Sequence, residues 1–398
     1  MMTKTKKNYK KIMLLTVALM TSMVTFAQTK IGGIYYKLDA ESKQAIVVSS
    51  GITERYTGAI VIPSTVKSGN ITYDVISIGA SAFEVSTITS IKIPASIKSI
   101  GAEPFRFCTT LASITVDSQN TIYDSRNGCN AIIHTATNEL IVGCMNTVIP
   151  NTITRIADGA FTGVVNLTHI DIPNSVTSIG TNAFFGCTGL KSIKIPDSVT
   201  SISKMAFHSC GNLEKIELPS NLQKIGDYSF RSCYALASME LPNTVTTIGA
   251  YAFQGMSNLF QITIPASVTR IDNGAFSDCP IGRINFESTT PPDMASDLFN
   301  KNHVIEVHVP EGCKKAYENN PNFENCTIID DVKVKGSSSS SGNPSSGNSS
   351  SGTPSTGIKN INSVATITAD KIYSVTGQRL SKPVNGMNII NGKKYILK

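Results

Sequence analysis

The chain has 398 residues, a length that accommodates two or three ordinary domains. It contains no Trp and only 16% charged residues, and it is rich in Ile, Val, Ser and Thr, which favours β structure over a charge-laced helical protein. The formal charge of +7 sits at the ends: +5 from the first 27 residues and +6 from the last 41 leave the body at −4, without the basic face that a nucleic-acid binder needs.

The N-terminus reads as an address. Lys4, Lys6, Lys7, Lys10 and Lys11 form a positive segment, residues 12–24 are mostly apolar, and Thr25-Phe26-Ala27 ends on a small residue. This pattern predicts a signal peptide over 1–27, cleaved after Ala27. The apolar run is too short for a membrane span and no Cys follows it for acylation. No later segment approaches 18 apolar residues, so no transmembrane segment is predicted.

Residues 28–62, with "IYYKLDAESKQAIVV" and "YTGAIVIP", read as a β-hairpin cap, and 63–335 as one repeat array with a closing unit. Within it Pro150, Pro173, Pro196, Pro219, Pro242 and Pro265 recur every 23 residues. Phe161, Phe184, Phe207, Phe230, Phe253 and Phe276 keep the same step, as do Ile156 through Ile271. Cys187, Cys210, Cys233 and Cys279 hold a further column, with Met256 in the gap. Each unit reads L-x-x-I-x-I-P-x-S-V-T-x-I-G-x-x-A-F-x-x-C. Leu190, Ile193 and Ile195 mark one face of a short strand that Pro196 ends, and Ala183-Phe184 points inward. Gly180 and Gly226 are expected to supply turn freedom. So small a unit cannot bury its apolar face alone, so neighbours must stack around one core. The predicted fold is a β-rich solenoid of 23-residue coils, eight or nine in number, with irregular caps.

The period and the L-x-x-I-x-I spacing fall in the leucine-rich-repeat range. The "IP-x-SVT-x-IG-x-x-AF-x-x-C" runs resemble the BspA-like leucine-rich repeat family of bacterial surface proteins. "NTIYDSRNGCNAIIHTATNELIVG" resembles that family's longer inserted repeat, and "TTPPDMASDLF" with "VHVPEGCKKAYENNPNFENC" resembles its closing unit. The resemblance implies a secreted protein, extracellular or on the outer surface of a bacterium. It further implies adhesion to host matrix proteins, host cells or other bacteria.

Residues 336–357 are nearly all Ser, Gly, Asn and Pro, a flexible linker with nothing to bury. Residues 358–398 alternate apolar and polar around Gly377, Gly386 and Gly392, predicting a β module of three or four strands. Through "IYSVTGQRL" and "NGKKYILK" it resembles the C-terminal sorting domains of the type IX secretion system, although its "GMNIINGKK" middle is shorter than usual.

No catalytic constellation is evident. His134, His169, His208, His303 and His308 are scattered, without a metal-like partner spacing, and no phosphate loop, nucleophile elbow or dinucleotide fingerprint occurs. The expectation is a non-enzyme with no cofactor and no metal. The cysteine column is expected to be small apolar filler, with Cys129/Cys144 and Cys313/Cys326 as weaker disulfide pairs.

Recognition is better supported. The positions flanking the second Ile point away from the core, and stacking turns them into columns. One column is His169, Ser192, Lys215, Ser238 and Gln261, and the next is Asp171, Lys194, Glu217, Glu240 and Thr263. Ahead of them run Thr168, Lys191, Glu214, Ala237 and Phe260, the last an aromatic suited to anchoring a contact. These columns vary while the framework does not, as expected of a concave sheet that binds extracellular or cell-surface proteins. Glycan binding is a second reading, disfavoured by the absence of Trp. A passive spacer is a third.

Overall fold

The computed structural model describes residues 28–51, 54–295, 297–299, 305–324 and 326–333, with the backbone of five strands between Lys359 and Leu397. The expected signal peptide and the Ser/Gly-rich linker lie outside the described residues. Two compact units divide the chain, Met1–Leu190 and Lys191–Lys398. Both are built from the same coil, and the architecture is a β-solenoid of about 11 turns, more than the eight or nine read from the sequence.

The first unit opens with antiparallel strands Gln28–Ile31, Ile34–Asp39 and Gln44–Val47. Gly32 and Gly33, both at positive φ, make the two-residue turn that places Ile31 opposite Ile34. The third strand pairs in parallel with Ile71–Ile78, which converts a meander into stacked coils. A parallel ladder joins Thr57–Val61, Thr87–Ile93 and Ser113–Val116. The inserted repeat forms the hairpin Ala131–His134 with Glu139–Gly143, and from it a parallel ladder runs through Arg155–Ile156 to Ser178–Ile179.

In the second unit Ser192–Lys194 pairs with Lys215–Glu217, and later coils continue through Gln261–Ile264, Arg283–Phe286, Glu306–Pro310 and Thr327–Val332. A second ladder stacks Ser201–Ile202, Lys224–Ile225, Thr247–Ile248, Arg270–Ile271 and Asp293–Met294. Every pairing in these two ladders is parallel. The one α-helix among the described residues of this unit is the short Lys314–Glu318, followed by a 3-10 turn at Pro321–Phe323. The tail strands form a five-stranded sheet, beyond the three or four expected, in the order Lys359–Ile361, Lys393–Leu397, Gly386–Ile390, Ile372–Ser374, Arg379–Leu380.

The core is a set of side-chain columns. In the first unit Phe83 stacks on Phe105 at 5.1 Å and Phe161 on Phe184 at 5.0 Å. In the second, Phe207, Phe230, Phe253, Phe276 and Phe299 follow one another at 5.3 to 6.0 Å with nearly parallel rings. Such offset stacking adds roughly 0.5–1.5 kcal/mol per pair to the burial itself.

The A-F segment is no loop. In eight of the coils two residues four apart have positive φ, as at Gly159 and Gly163 in the first unit, and Met205 and Ser209 or Tyr228 and Ser232 in the second. The effect is to turn alternate N–H groups along the stacking direction. Met205, Phe207 and Ser209 donate to the carbonyls of Asp227, Ser229 and Arg231 at 2.9, 2.9 and 2.8 Å. The intervening Ala206, His208 and Cys210 donate three residues back, each at 3.2 Å, closing turns. A non-strand backbone thereby makes an inter-coil ladder and leaves few backbone donors unpaired.

Two expectations require correction. Gly180 and Gly226 do not have positive φ. They are needed for clearance: a Cβ at Gly226 would lie 2.6 Å from the Ile202 carbonyl oxygen, and one at Gly180 would lie 2.6 Å from the Asp158 nitrogen. The left-handed positions come two residues later. The cysteine column is buried as expected, and its thiols also act as donors. Cys187, Cys233 and Cys279 donate their thiols to the carbonyls of Phe161, Phe207 and Phe253 at 3.2, 3.2 and 3.0 Å, tying each coil to the one before. Cys108 does the same to Phe83 at 2.9 Å. None of the nine cysteines forms a disulfide, including both pairs considered for one.

Candidate binding face

The residues expected to face outward do so. His169 and Asp171 in the first unit are exposed, as are Lys191, Lys194, Lys215, Glu217, Glu240, Phe260, Gln261 and Thr263 in the second. Between them Ile170, Ile193, Met239 and Ile262 are buried, which is the strand alternation that sends their neighbours out. The hydrogen-bonded ladder is interrupted, however: residues 168–172 and 236–241 keep the alternation without strand pairing. Where the ladder is intact the columns stack as expected, Ser192 beside Lys215 and Lys194 beside Glu217.

Glu217 is the electrostatic centre of that stretch. Lys215 Nζ approaches it to 2.6 Å and Lys194 Nζ to 3.8 Å. The hydrogen bond from Lys215, with the charge of Lys215 and then of Lys194, holds its carboxyl below the usual glutamate range. With the Lys194 side chain 78% exposed and the Glu217 side chain 47% exposed, this trio is screened and contributes little to stability. In the first unit His169 Nε2 lies 3.1 Å from Asp171 Oδ1. Phe260, 39% exposed, is flanked in its row by the small residues Ala237 and Gly282, and a Cβ on Gly282 would meet open space.

The columns continue beyond those read from the sequence, through half-buried Arg283 and Asn285 to exposed Glu306 and buried His308. Gln261 is in register with Arg283 and then Glu306, and Thr263 with Asn285 and then His308. Arg283 donates to Asn285 at 2.8 Å, and Asn285 donates to Thr263 at 3.1 Å. His308, fully buried, sits with Nδ1 2.6 Å from Asp331 and Nε2 3.4 Å from Glu306. The signal that would have found these residues is a one-residue deletion. Met256 precedes Leu259 by three residues, whereas Cys279 precedes buried Ile281 by two, which shifts every later column out of the 23-residue phase.

Among the described residues no cluster of His, Cys, Asp and Glu could hold a metal ion, and no helix is long and apolar enough to cross a membrane. The chemistry presented is a polar, mixed-charge surface on a rigid frame.

The BspA type leucine rich repeat region matches this sequence in six copies, over residues 62–138, 142–256 and 223–351. The chain belongs to the BspA-type leucine-rich repeat family. Solved structures similar to it include a leucine-rich repeat protein from Bacteroides ovatus, 24% identical, covering 76% of each chain with a TM-score of 0.44. Another, from Eubacterium ventriosum, is 28% identical and covers 56% of this chain and 65% of its own, with a TM-score of 0.45. The pneumococcal vaccine antigen PcpA is 16% identical, covering 77% of this chain and 99% of its own with a TM-score of 0.45. No curated protein matches the sequence. The repeating Ile and Phe columns, and the Cys column broken only by Met256, are thus the framework of a BspA-type repeat.

Proposed function

We propose that this BspA-type repeat protein is exported and works outside the cell or on its outer surface, as a non-enzymatic, adhesin-like scaffold that binds extracellular or cell-surface proteins of a host or of other bacteria. The observation that carries the reading is the contrast between columns. Framework positions repeat from coil to coil, whereas Lys191, Lys194, Lys215, Glu217, Glu240, Phe260, Gln261 and Thr263 change and all remain exposed. A preformed surface of this kind binds with little ordering cost. The signal-peptide pattern of residues 1–27 supports export, and the C-terminal strands are assigned to type IX sorting through "IYSVTGQRL" and "NGKKYILK".

The test is to screen the mature chain on an array of matrix proteins, cell-surface proteins and polysaccharides, beside the variant Lys194→Ala/Glu217→Ala/Phe260→Ala. A protein hit weakened about tenfold or more by the variant is expected, since truncating an anchor and its charged neighbours removes hot-spot contacts. Hits confined to polysaccharides, or silence from the folded chain, would overturn the reading.

A further inference from the structure

The left-handed slot that opens the turn ribbon is filled by Ser81 and Glu103 in the first coils, and then by glycine at Gly159 and Gly274 and asparagine at Asn182, residues that adopt this conformation readily. In three successive coils of the second unit the same slot instead holds Met205, Tyr228 and Tyr251, at φ of 55°, 56° and 55°. All three side chains are partly exposed, so burial does not demand them. Strained positions cluster where a surface is used, and here the strain falls on large side chains in a row.

What surrounds them points to a ligand class. The rings of Tyr228 and Tyr251 stack at 5.1 Å and 14°, and Tyr251 also lies against Gly274, where a Cβ would collide with it. The Arg231 guanidinium rests 5.6 Å from the centre of the Tyr228 ring. With their flat faces engaged in this way, the tyrosines do not offer the open platform on which a sugar ring stacks. In the first unit Arg106 is placed similarly over Phe107, at 5.2 Å, but Glu84 and Glu103 lie 3.8 and 3.7 Å away. Arg231 has no such carboxylate among the described residues; its charge is left for something else. Tyr, Met and Arg are also the side chains enriched in protein interfaces.

We propose that Met205, Tyr228, Tyr251 and Arg231 form a second docking surface, separate from the strand face, for a protein segment that sets a carboxylate against Arg231 and a bulky apolar side chain against Met205 and the two tyrosines. The surface does not rest on the adhesin reading of the strand face.

The experiment selects random peptides displayed on phage against the full mature chain. Dissociation constants of the enriched peptides are then measured on that chain and on three variants: Met205→Asn/Tyr228→Asn/Tyr251→Asn, Arg231→Gln, and the strand-face triple. Enriched peptides carrying Asp or Glu next to a bulky apolar residue are expected, with both ridge variants weakening them about tenfold or more and the strand-face triple leaving them unchanged. Arg231→Gln keeps the test decisive if the triple replacement disturbs folding. No enrichment, enriched peptides lacking an acidic residue, or binding that survives Arg231→Gln would overturn the proposal. So would sensitivity to the strand-face triple alone, or a polysaccharide signal lost in the ridge variants without peptide binding.

Discussion

At the scale of single residues, each column has a physical job, and the exceptions within a column are where substitutions should matter. Ser229 occupies the slot held by Ala183, Ala206, Ala252 and Ala275, is fully buried, and its hydroxyl has no partner. An orphaned buried hydroxyl costs roughly 1–3 kcal/mol, so Ser229→Ala should stabilise the protein by about 1 kcal/mol and raise the melting midpoint by about 2–4 °C. An unchanged or lower midpoint would show the hydroxyl to be satisfied. Val85, β-branched, sits at φ 56° and is 48% exposed. Left-handed backbone costs a residue with a Cβ about 1–2 kcal/mol, against roughly 0.5–1 kcal/mol for the added freedom of glycine, so Val85→Gly should be neutral or stabilising by up to about 1 kcal/mol in denaturant unfolding. The thiols give a third expectation. Burial pushes Cys108 and Cys279 up to about 12 and Cys233 well above the usual thiol value. Native protein treated with iodoacetamide near neutral pH should therefore be labelled at the partly exposed Cys313 and Cys326 alone, with the other seven modified only after unfolding. Mass-spectrometric labelling of the buried column under native conditions would contradict this.

At the scale of the element, the turn ribbon governs how closely coils approach. Gly226→Ala should destabilise by about 1–3 kcal/mol, because the new methyl meets the Ile202 carbonyl and the backbone of Ser203, which cannot swing aside. Gly282→Ala is the matched control: its Cβ would meet nothing within 4 Å and its φ is not positive, so a gain of about 0.4–1 kcal/mol through the unfolded chain is expected. Equal effects of the two substitutions would refute the clearance argument. The same ribbon explains the Thr of each S-V-T motif only in part. Thr177 in the first unit and Thr246 and Thr269 in the second sit beside it in sequence. Each bonds the carbonyl of the residue one coil back with both N–H and hydroxyl, so this exposed column is structural and not part of the variable surface.

At the scale of the whole molecule, a stack of near-identical coils should tolerate the loss of one. Deleting residues 213–235, a full period, brings Leu236 into the slot of Leu213 and keeps every column in phase. This variant should retain its circular dichroism and a cooperative, lower melt, as nearest-neighbour repeat energetics require. A deletion one residue shorter should fail to fold. Acid should also weaken the protein. Glu54, Asp197 and Glu217 are each held below the usual carboxylate range, chiefly by hydrogen bonds from Lys30, Ser220 and Lys215 respectively. A carboxylate depressed in the folded state contributes stability above its unfolded value and loses it as the pH falls. His208, lowered by burial and then by Arg231, acts in the same direction, its contribution declining as the pH drops below about 6.5. The melting midpoint should therefore fall slightly between pH 7 and 6 and further below about pH 4. A rise on acidification would invert the sign.

The sequence by itself determined the coil. A 23-residue period in Pro, Phe, Ile and Cys leaves few ways to bury those columns except by stacking, and the outward positions follow from strand alternation. Only the tertiary structure decided how neighbouring coils touch. The paired left-handed positions carry residues as different as Gly159, Asn182, Met205 and Tyr228, because the constraint is set by hydrogen bonds to the next coil rather than by composition. For the same reason the ridge of Met205, Tyr228 and Tyr251 was invisible in the chain. So were the partners of His308, hidden behind the one-residue slip between Cys279 and Ile281, since contacts between coils depend on phase and a linear reading loses phase where a residue is lost.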